Sequence, residues 1–179
     1  MGCKIVGHGK ALPELIVSND DMAKIVDTSD EWIVERTGIH NRRIALEETT
    51  TSLGTDAARN ALADAGLAAD DIDLIVCMTI SADAVVPSQA ALIKMQLGAS
   101  NAVAFDLNAA CTGCIYGMDV ASTMIEASVA SEDGSGIGHR RNAMRRALVV
   151  GAERLSRITD WTDRATCVLF GDGAGAIVL

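Results

Sequence analysis

Phe105-Asp106-Leu107-Asn108-Ala109-Ala110-Cys111-Thr112-Gly113 is the stretch on which the fold turns. Residues 103–107 read as a short apolar strand, the next three as a tight turn, and 111–127 as a helix. Ala110, Cys114, Gly117 and Ala121 recur along that helix at spacings of three and four. Such a stripe of small side chains lets a helix lie close against another backbone.

The same alternation of strand and helix extends outward on both sides. Upstream, residues 74–80 form a continuous apolar run bounded by Asp73 and Ser81, short and β-branched enough for a buried strand. Before it, Leu53, Ala57, Ala58, Ala61, Leu62 and Ala65 recur at helical spacing over 50–65, and Gly66 ends the helix. Between 80 and 103, Pro87 suits the first turn of a helix that closes at Gly98. Nearer the start, 4–9 reads as a strand, and Ser18, Asn19 and Asp20 offer an N-cap for a helix over 21–26. Thr28 and Glu31 fit a capping box for a helix running through Arg36 to a stop at Gly38. Downstream, Gly134, Gly136 and Gly138 mark a loop within 131–142, and 147–150 is a strand. Residues 165–170 and 174–178 read as two more strands, joined through Gly171-Asp172-Gly173 by a hairpin-type connection. The pattern predicts a single α/β domain over 1–179: a layered mixed sheet with helices on both sides, largely parallel with an antiparallel edge.

Composition narrows the function classes. The chain has 179 residues, 49% apolar and only 3% aromatic, which suits a packed core of small side chains. A net charge of −9 argues against nonspecific nucleic-acid binding. Arg140, Arg141, Arg145 and Arg146 form one basic cluster, which also fits a solvated loop and element end. An odd count of five cysteines without a secretory leader argues against a disulfide framework. Cys111 and Cys114 make a C-x-x-C pair, but no second pair is spaced for a metal, so no metal site is expected. No apolar run reaches transmembrane length, so a soluble cytoplasmic protein is expected, with no membrane partner.

Cys111 is the candidate nucleophile. A cysteine entering a helix meets the positive end of the helix dipole, which favours the thiolate, the form that attacks thioesters. By itself the position also fits a small cysteine that merely packs. Ala110-Cys111-Thr112-Gly113 resembles the active-site turn of the β-ketoacyl-acyl carrier protein synthase III family, of the thiolase-like superfamily. Asp27-Thr28-Ser29-Asp30-Glu31-Trp32-Ile33 and Arg36-Thr37-Gly38-Ile39 resemble its signature near the N-terminus. Asp163-Arg164 and Phe170-Gly171-Asp172-Gly173-Ala174-Gly175-Ala176 are similar to two further segments, and the matches lie in order along nearly the whole chain.

The resemblance implies a thiolase-like fold and a role for each matched residue. Cys111 would take the acyl group from acyl-CoA as a thioester. Trp32 would stack on the adenine of coenzyme A and Arg36 would meet its polar or phosphate groups. Thr28 and Arg157 would also approach the coenzyme, which acts as a substrate carrier, with no further cofactor. Without the resemblance, Trp32 fits a residue anchoring its helix to the core, and Arg36 a partner of the helix C-terminus. Val86 matches a position that reaches across the family's dimer interface and closes the partner's acyl pocket; an ordinary apolar loop residue is the equal alternative. A smaller side chain there leaves room for a longer or branched primer. The glycines of 171–175 lack a P-loop lysine and read as a tight structural connection.

Family members are roughly twice as long, built from two similar halves, and take a catalytic His and Asn from the second. Of His8, His40 and His139, none lies in such a motif. The resemblance therefore implies the N-terminal half of an acyltransferase that condenses acyl-CoA with malonyl-acyl carrier protein. A homodimer is expected, as is either truncation or a second polypeptide supplying the other half. Two alternatives stand beside this: a related condensing enzyme of secondary metabolism, and a catalytically silent dimerisation or scaffold half.

Overall fold

The structure is a computed structural model that describes residues 2–130 and 143–179. The expected loop over 131–142, with His139, Arg140 and Arg141, lies outside the described residues. In chain order the elements are β1 (Gly7–Ala11), β2 (Leu15–Ser18), α1 (Asn19–Met22), α2 (Asp30–Thr37), β3 (Asn41–Ile44), α3 (Thr50–Ala65), β4 (Leu74–Met78), α4 (Gln89–Leu97), β5 (Val103–Leu107), α5 (Gly113–Ala130), β6 (Ala147–Arg154), α6 (Arg164–Cys167) and β7 (Asp172–Val178).

β4 is the spine of the main sheet. All its residues are buried, because it is covered on both faces and paired in parallel with β5 on one side and β6 on the other. The strand order is β1-β7-β6-β4-β5, with β7 antiparallel to both its neighbours. The sheet is mixed, as expected, but not largely parallel: β4–β5 and β4–β6 are parallel, while β6–β7 and β7–β1 are antiparallel.

Side-chain alternation sorts the core into two layers. Ile75, Cys77, Leu148, Val150 and Ala152 face α3 and α4, against Leu53, Ala57, Ala58, Ala61 and Ile93. Leu74, Val76, Met78 and Val149 face α5, against Ala121 and Ile125. Helix α3 has the predicted bounds. Thr49 and Ser52 form its capping box, and Gly66, at φ 66°, closes it in the left-handed conformation only glycine takes freely. It packs directly on β1: a Cβ at Gly9 would collide with the Ala57 carbonyl and the Ala61 amide.

Several expectations change. The first strand begins at Gly7 rather than at residue 4, and α1 is a single turn capped by Ser18. The cap of α2 is Ser29, whose side chain accepts from the Trp32 amide; Thr28 and Glu31 form no box. Pro87 lies before α4, which is capped by Ser88. Residues 165–170 are not a strand. Asp163 accepts from the Ala165 amide at 2.9 Å and the Thr166 hydroxyl at 2.7 Å, which winds this β-branched run into the turn α6. There is accordingly no hairpin at 171–173; β7 runs between β1 and β6 instead. The stripe on α5 is Gly113, Gly117, Ala121 and Ile125, while Ala110 and Cys114 are exposed.

A second, two-stranded sheet of β2 and β3 was not anticipated. It supports a satellite cluster of Met22, Ile33, Cys167 and Val168, with Trp32 and Trp161 partly buried against it.

Candidate active site

Cys111 sits where β5 turns into α5. A short 3₁₀ turn, Ala110–Thr112, precedes the helix. Ala110 has φ 45°, a left-handed conformation costing an alanine about 1–2 kcal/mol. The turn is locked because both the amide and the hydroxyl of Thr112 donate to the Ala109 carbonyl, at 3.2 and 2.7 Å. The next residue has to be small: a Cβ on Gly113 would lie 2.9 Å from the Met78 Cβ. A strained, braced turn thus lifts the Cys111 thiol to the surface. Ile115 and Tyr116, 62% and 53% exposed, lie beside it on α5. All five cysteines are free.

Trp32 and Arg36 are brought together on α2. The Arg36 guanidinium lies 4.5 Å from the Trp32 ring centroid, and a second cation, Arg164, lies 4.8 Å from it. Arg164 is held by a 3.0 Å hydrogen bond to the Asp27 carbonyl. An open groove of about 520 Å³ runs alongside, lined by Ile25, Val26, Asp27, Trp161, Thr162 and Arg164. Thr28 borders it in sequence, and its hydroxyl is buried with no hydrogen-bond partner. An aromatic face, two guanidinium groups and a groove of mixed polar and apolar lining suit a flat base carrying phosphates. Arg164 lies in the Asp163-Arg164 segment, which carries the resemblance without assigning this arginine a role. Its signal was a basic residue three after Trp161 in an otherwise polar stretch.

Arg157 is exposed and paired with Asp83 at 3.4 Å. Asp83 is a hub. Its carboxylate accepts from the amides of Thr50 and Thr51 and from the Thr51 hydroxyl, at 3.1, 2.7 and 2.6 Å. Burial pushes its pKa up, but the hydrogen bonds from Thr51 and Thr50 outweigh this and hold it below the usual carboxylate range. Its amide donates to the fully buried side chain of Gln89, whose Nε2 donates to the Thr51 hydroxyl at 2.7 Å. The amides of Gln89 and Ala90 in turn donate to Asp106 on β5, both at 2.7 Å. This chain ties the loop bearing Val86 to the strand leading into Cys111. Val86 itself is 83% exposed and Val85 97%.

Among the described residues, no hydrogen bond or ion pair joins Cys111 to Trp32, Arg36, Thr28, Arg157 or Val86, and no His, Cys, Asp and Glu cluster fits a metal. His8 is exposed on the Asp64 carboxylate at 2.8 Å, and His40 is exposed. No helix among them is long and apolar enough to cross a membrane.

Comparison with known proteins bears on the fold as a whole. Residues 139–179 match the family model of 3-oxoacyl-[acyl-carrier-protein (ACP)] synthase III. The β-ketoacyl-[acyl-carrier-protein] synthase III of Clostridium acetobutylicum is 49% identical over 176 residues, 98% of this chain and 50% of the relative. That of Aquifex aeolicus is 49% identical over 179 residues, covering 100% of this chain and 53% of the relative. The Aquifex crystal structure superposes with a TM-score of 0.88 at 48% identity, over 99% of this chain and 53% of that one. The priming β-ketosynthase of the R1128 polyketide pathway superposes with a TM-score of 0.87 at 38% identity, over 98% and 48%. The chain spans about half the length of the curated relatives it matches. By sequence and by fold, over that half, it is similar to the β-ketoacyl-[acyl-carrier-protein] synthase III enzymes.

Proposed function

We propose that the chain is the nucleophile-bearing half of an acyltransferase that starts fatty acid synthesis, condensing acyl-CoA with malonyl-acyl carrier protein. The observation that carries this is the exposed Cys111 thiol on its braced turn between β5 and α5. The Cys111 thiolate attacks the acyl-CoA carbonyl, the C–S bond to coenzyme A breaks, and free coenzyme A leaves with acyl-Cys111 behind. The backbone amide of Cys111 is the candidate donor to the tetrahedral oxyanion. Trp32, flanked by Arg36 and Arg164, seats the adenine and phosphates, with Thr28 and Arg157 as further contacts. Malonyl thioester then loses carbon dioxide, and the resulting carbanion equivalent attacks the acyl-Cys111 carbonyl; the C–S bond to Cys111 breaks, the β-ketoacyl product leaves on the carrier protein, and the Cys111 thiolate is restored. The His and Asn that assist decarboxylation belong to the other half of the family's architecture. The working enzyme is a cytoplasmic homodimer in which Val86 closes the partner's acyl pocket.

Acylation should release one equivalent of free coenzyme A per Cys111, read by a thiol reagent in a single turnover. Cys111→Ala should release none. Release unchanged in Cys111→Ala, or absent from the wild-type chain, would count against the reading. A second reading, a priming synthase of a polyketide pathway, is favoured by the likeness to the R1128 enzyme. Donor preference separates the two. A purely structural dimerisation half predicts no release at all.

A further inference from the structure

The stack on Trp32 is assembled from two elements distant in sequence: α2 supplies Trp32 and Arg36, and α6 supplies Arg164. One buried side chain links both, α6 at its C-cap residue and α2 through Asn19. Arg42, on β3, is only 5% exposed. Its Nη1 donates to the carbonyls of Val17 and Ser18, at 3.2 and 3.0 Å. Its Nη2 donates to the side-chain oxygen of Asn19 at 2.7 Å and to the carbonyl of Val168 at 3.2 Å. Val168 is the C-cap residue of α6. Asn19, 1% exposed, passes the hold to α2 at both its ends. Its Nδ2 donates to the Asp30 carboxylate in the first turn at 2.8 Å, and to the Ile39 carbonyl, just past the Gly38 cap, at 2.7 Å.

Among the described residues Arg42 forms no ion pair, and its Nε has no hydrogen-bond partner. A buried cation without a carboxylate is a poor way to stabilise a core, since apolar residues of similar volume do as well or better. The guanidinium fork is suited to a different task, donating in two directions from one rigid plane. Here one nitrogen reaches α6 and, through Asn19, α2.

We propose that Arg42 is the positioning residue of the nucleotide seat, fixing α2 and α6 so that Arg36 and Arg164 both stand over the Trp32 ring. It touches neither the ligand nor Cys111; it acts through Asn19 and Val168. The part of the claim that concerns coenzyme A rests on the function proposed above; the part that concerns the stack does not.

The test is Arg42→Lys in the full chain, which keeps the charge but not the fork. Two readouts are taken: coenzyme A affinity by titration calorimetry, and the Trp32 indole resonance without ligand, assigned using Trp32→Phe. The alkylation rate of Cys111 by iodoacetamide, peptide-mapped to exclude Cys114, is the control. Binding of coenzyme A should weaken at least about tenfold. The indole resonance should move, and Cys111 alkylation should stay within about twofold. With acyl-CoA as donor, KM should rise while the maximal acylation rate holds. Wild-type affinity with an unmoved indole resonance overturns the proposal. So does a parallel change in Cys111 alkylation, which marks general loosening. If the wild-type chain itself fails to bind coenzyme A, the proposed function falls, and the indole shift alone decides the role of Arg42. Should Arg42→Lys not fold, Asn19→Ser cuts only the arm to α2 and is held to the same outcomes.

Discussion

Cys111 is exposed and forms no hydrogen bond or ion pair to the other candidate site residues, so its removal separates chemistry from folding. Cys111→Ala should abolish acylation while shifting stability by no more than about 0.5 kcal/mol, as exposed substitutions do; urea unfolding beside the acylation assay checks both. Asp83 behaves oppositely, because its carboxylate holds the start of α3 and Arg157 together. Hydrogen bonding lowers its folded pKa below the unfolded value of about 3.9, so its contribution is fully present above that pH and is lost as pH falls through the lower folded value. Asp83→Asn should therefore flatten the acid limb of the stability profile below about pH 4, measured by denaturant midpoints across pH. A variant profile parallel to wild type would show that Asp83 is not the titrating group. At this scale the sequence reveals residue types more readily than their partners. Cys111, Trp32 and Arg36 stand out as candidates through their motifs, whereas Arg164 lies in a motif that assigns it no role. Its place over Trp32 depends on α6 folding back across the satellite cluster, a contact spanning most of the chain.

Elements with a strong local period were the most legible. The capping box at Thr49, the alanine and leucine spacing, and Gly66 all agree over α3, and its predicted bounds stand. Segment 165–170 misled because its β-branched content carries no information about the Asp163 cap that winds it. The β2–β3 ribbon escaped notice because its strands are short, half exposed and paired across α1 and α2. α3 also shows where sequence leaves packing tolerance unstated. At Gly9 the obstruction is helix backbone, which cannot rotate away. Gly9→Ala should destabilise the fold by about 1–3 kcal/mol through overpacking, read as a lower urea midpoint. At Gly117 the nearest atom is the Met78 sulfur, 2.5 Å from a Cβ, and a flexible side chain can give way. Gly117→Ala should be the milder change in the same measurement.

The architecture of a sheet covered by helices on both faces was readable from the alternation of strands and helices, but not the insertion of β7 between β1 and β6, which local pattern does not encode. As a whole the molecule leaves large apolar side chains in water: Val85 and Val86 on one loop, and Ile115 and Tyr116 beside the nucleophile. Large apolar side chains left exposed, two of them next to a catalytic candidate, mark surface that is covered in the working protein. The chain should therefore self-associate reversibly. Sedimentation velocity across a concentration series should show a rising average mass, and Val86→Asp together with Tyr116→Asp should reduce it; a concentration-independent monomer would contradict this expectation. The chain spans about half of its relatives. On the function proposed above, that half carries both the candidate nucleophile and the nucleotide seat, and the first chemical step is separable from the condensation that follows.

That step can be weighed directly. Intact-mass spectrometry after incubation with acetyl-CoA and longer acyl-CoA donors, followed by peptide mapping, tests whether Cys111 accepts the acyl group. A single hydroxylamine-labile acyl adduct on Cys111, with Cys114 unmodified, is the expected result. An unmodified Cys111 that still reacts with iodoacetamide would contradict it.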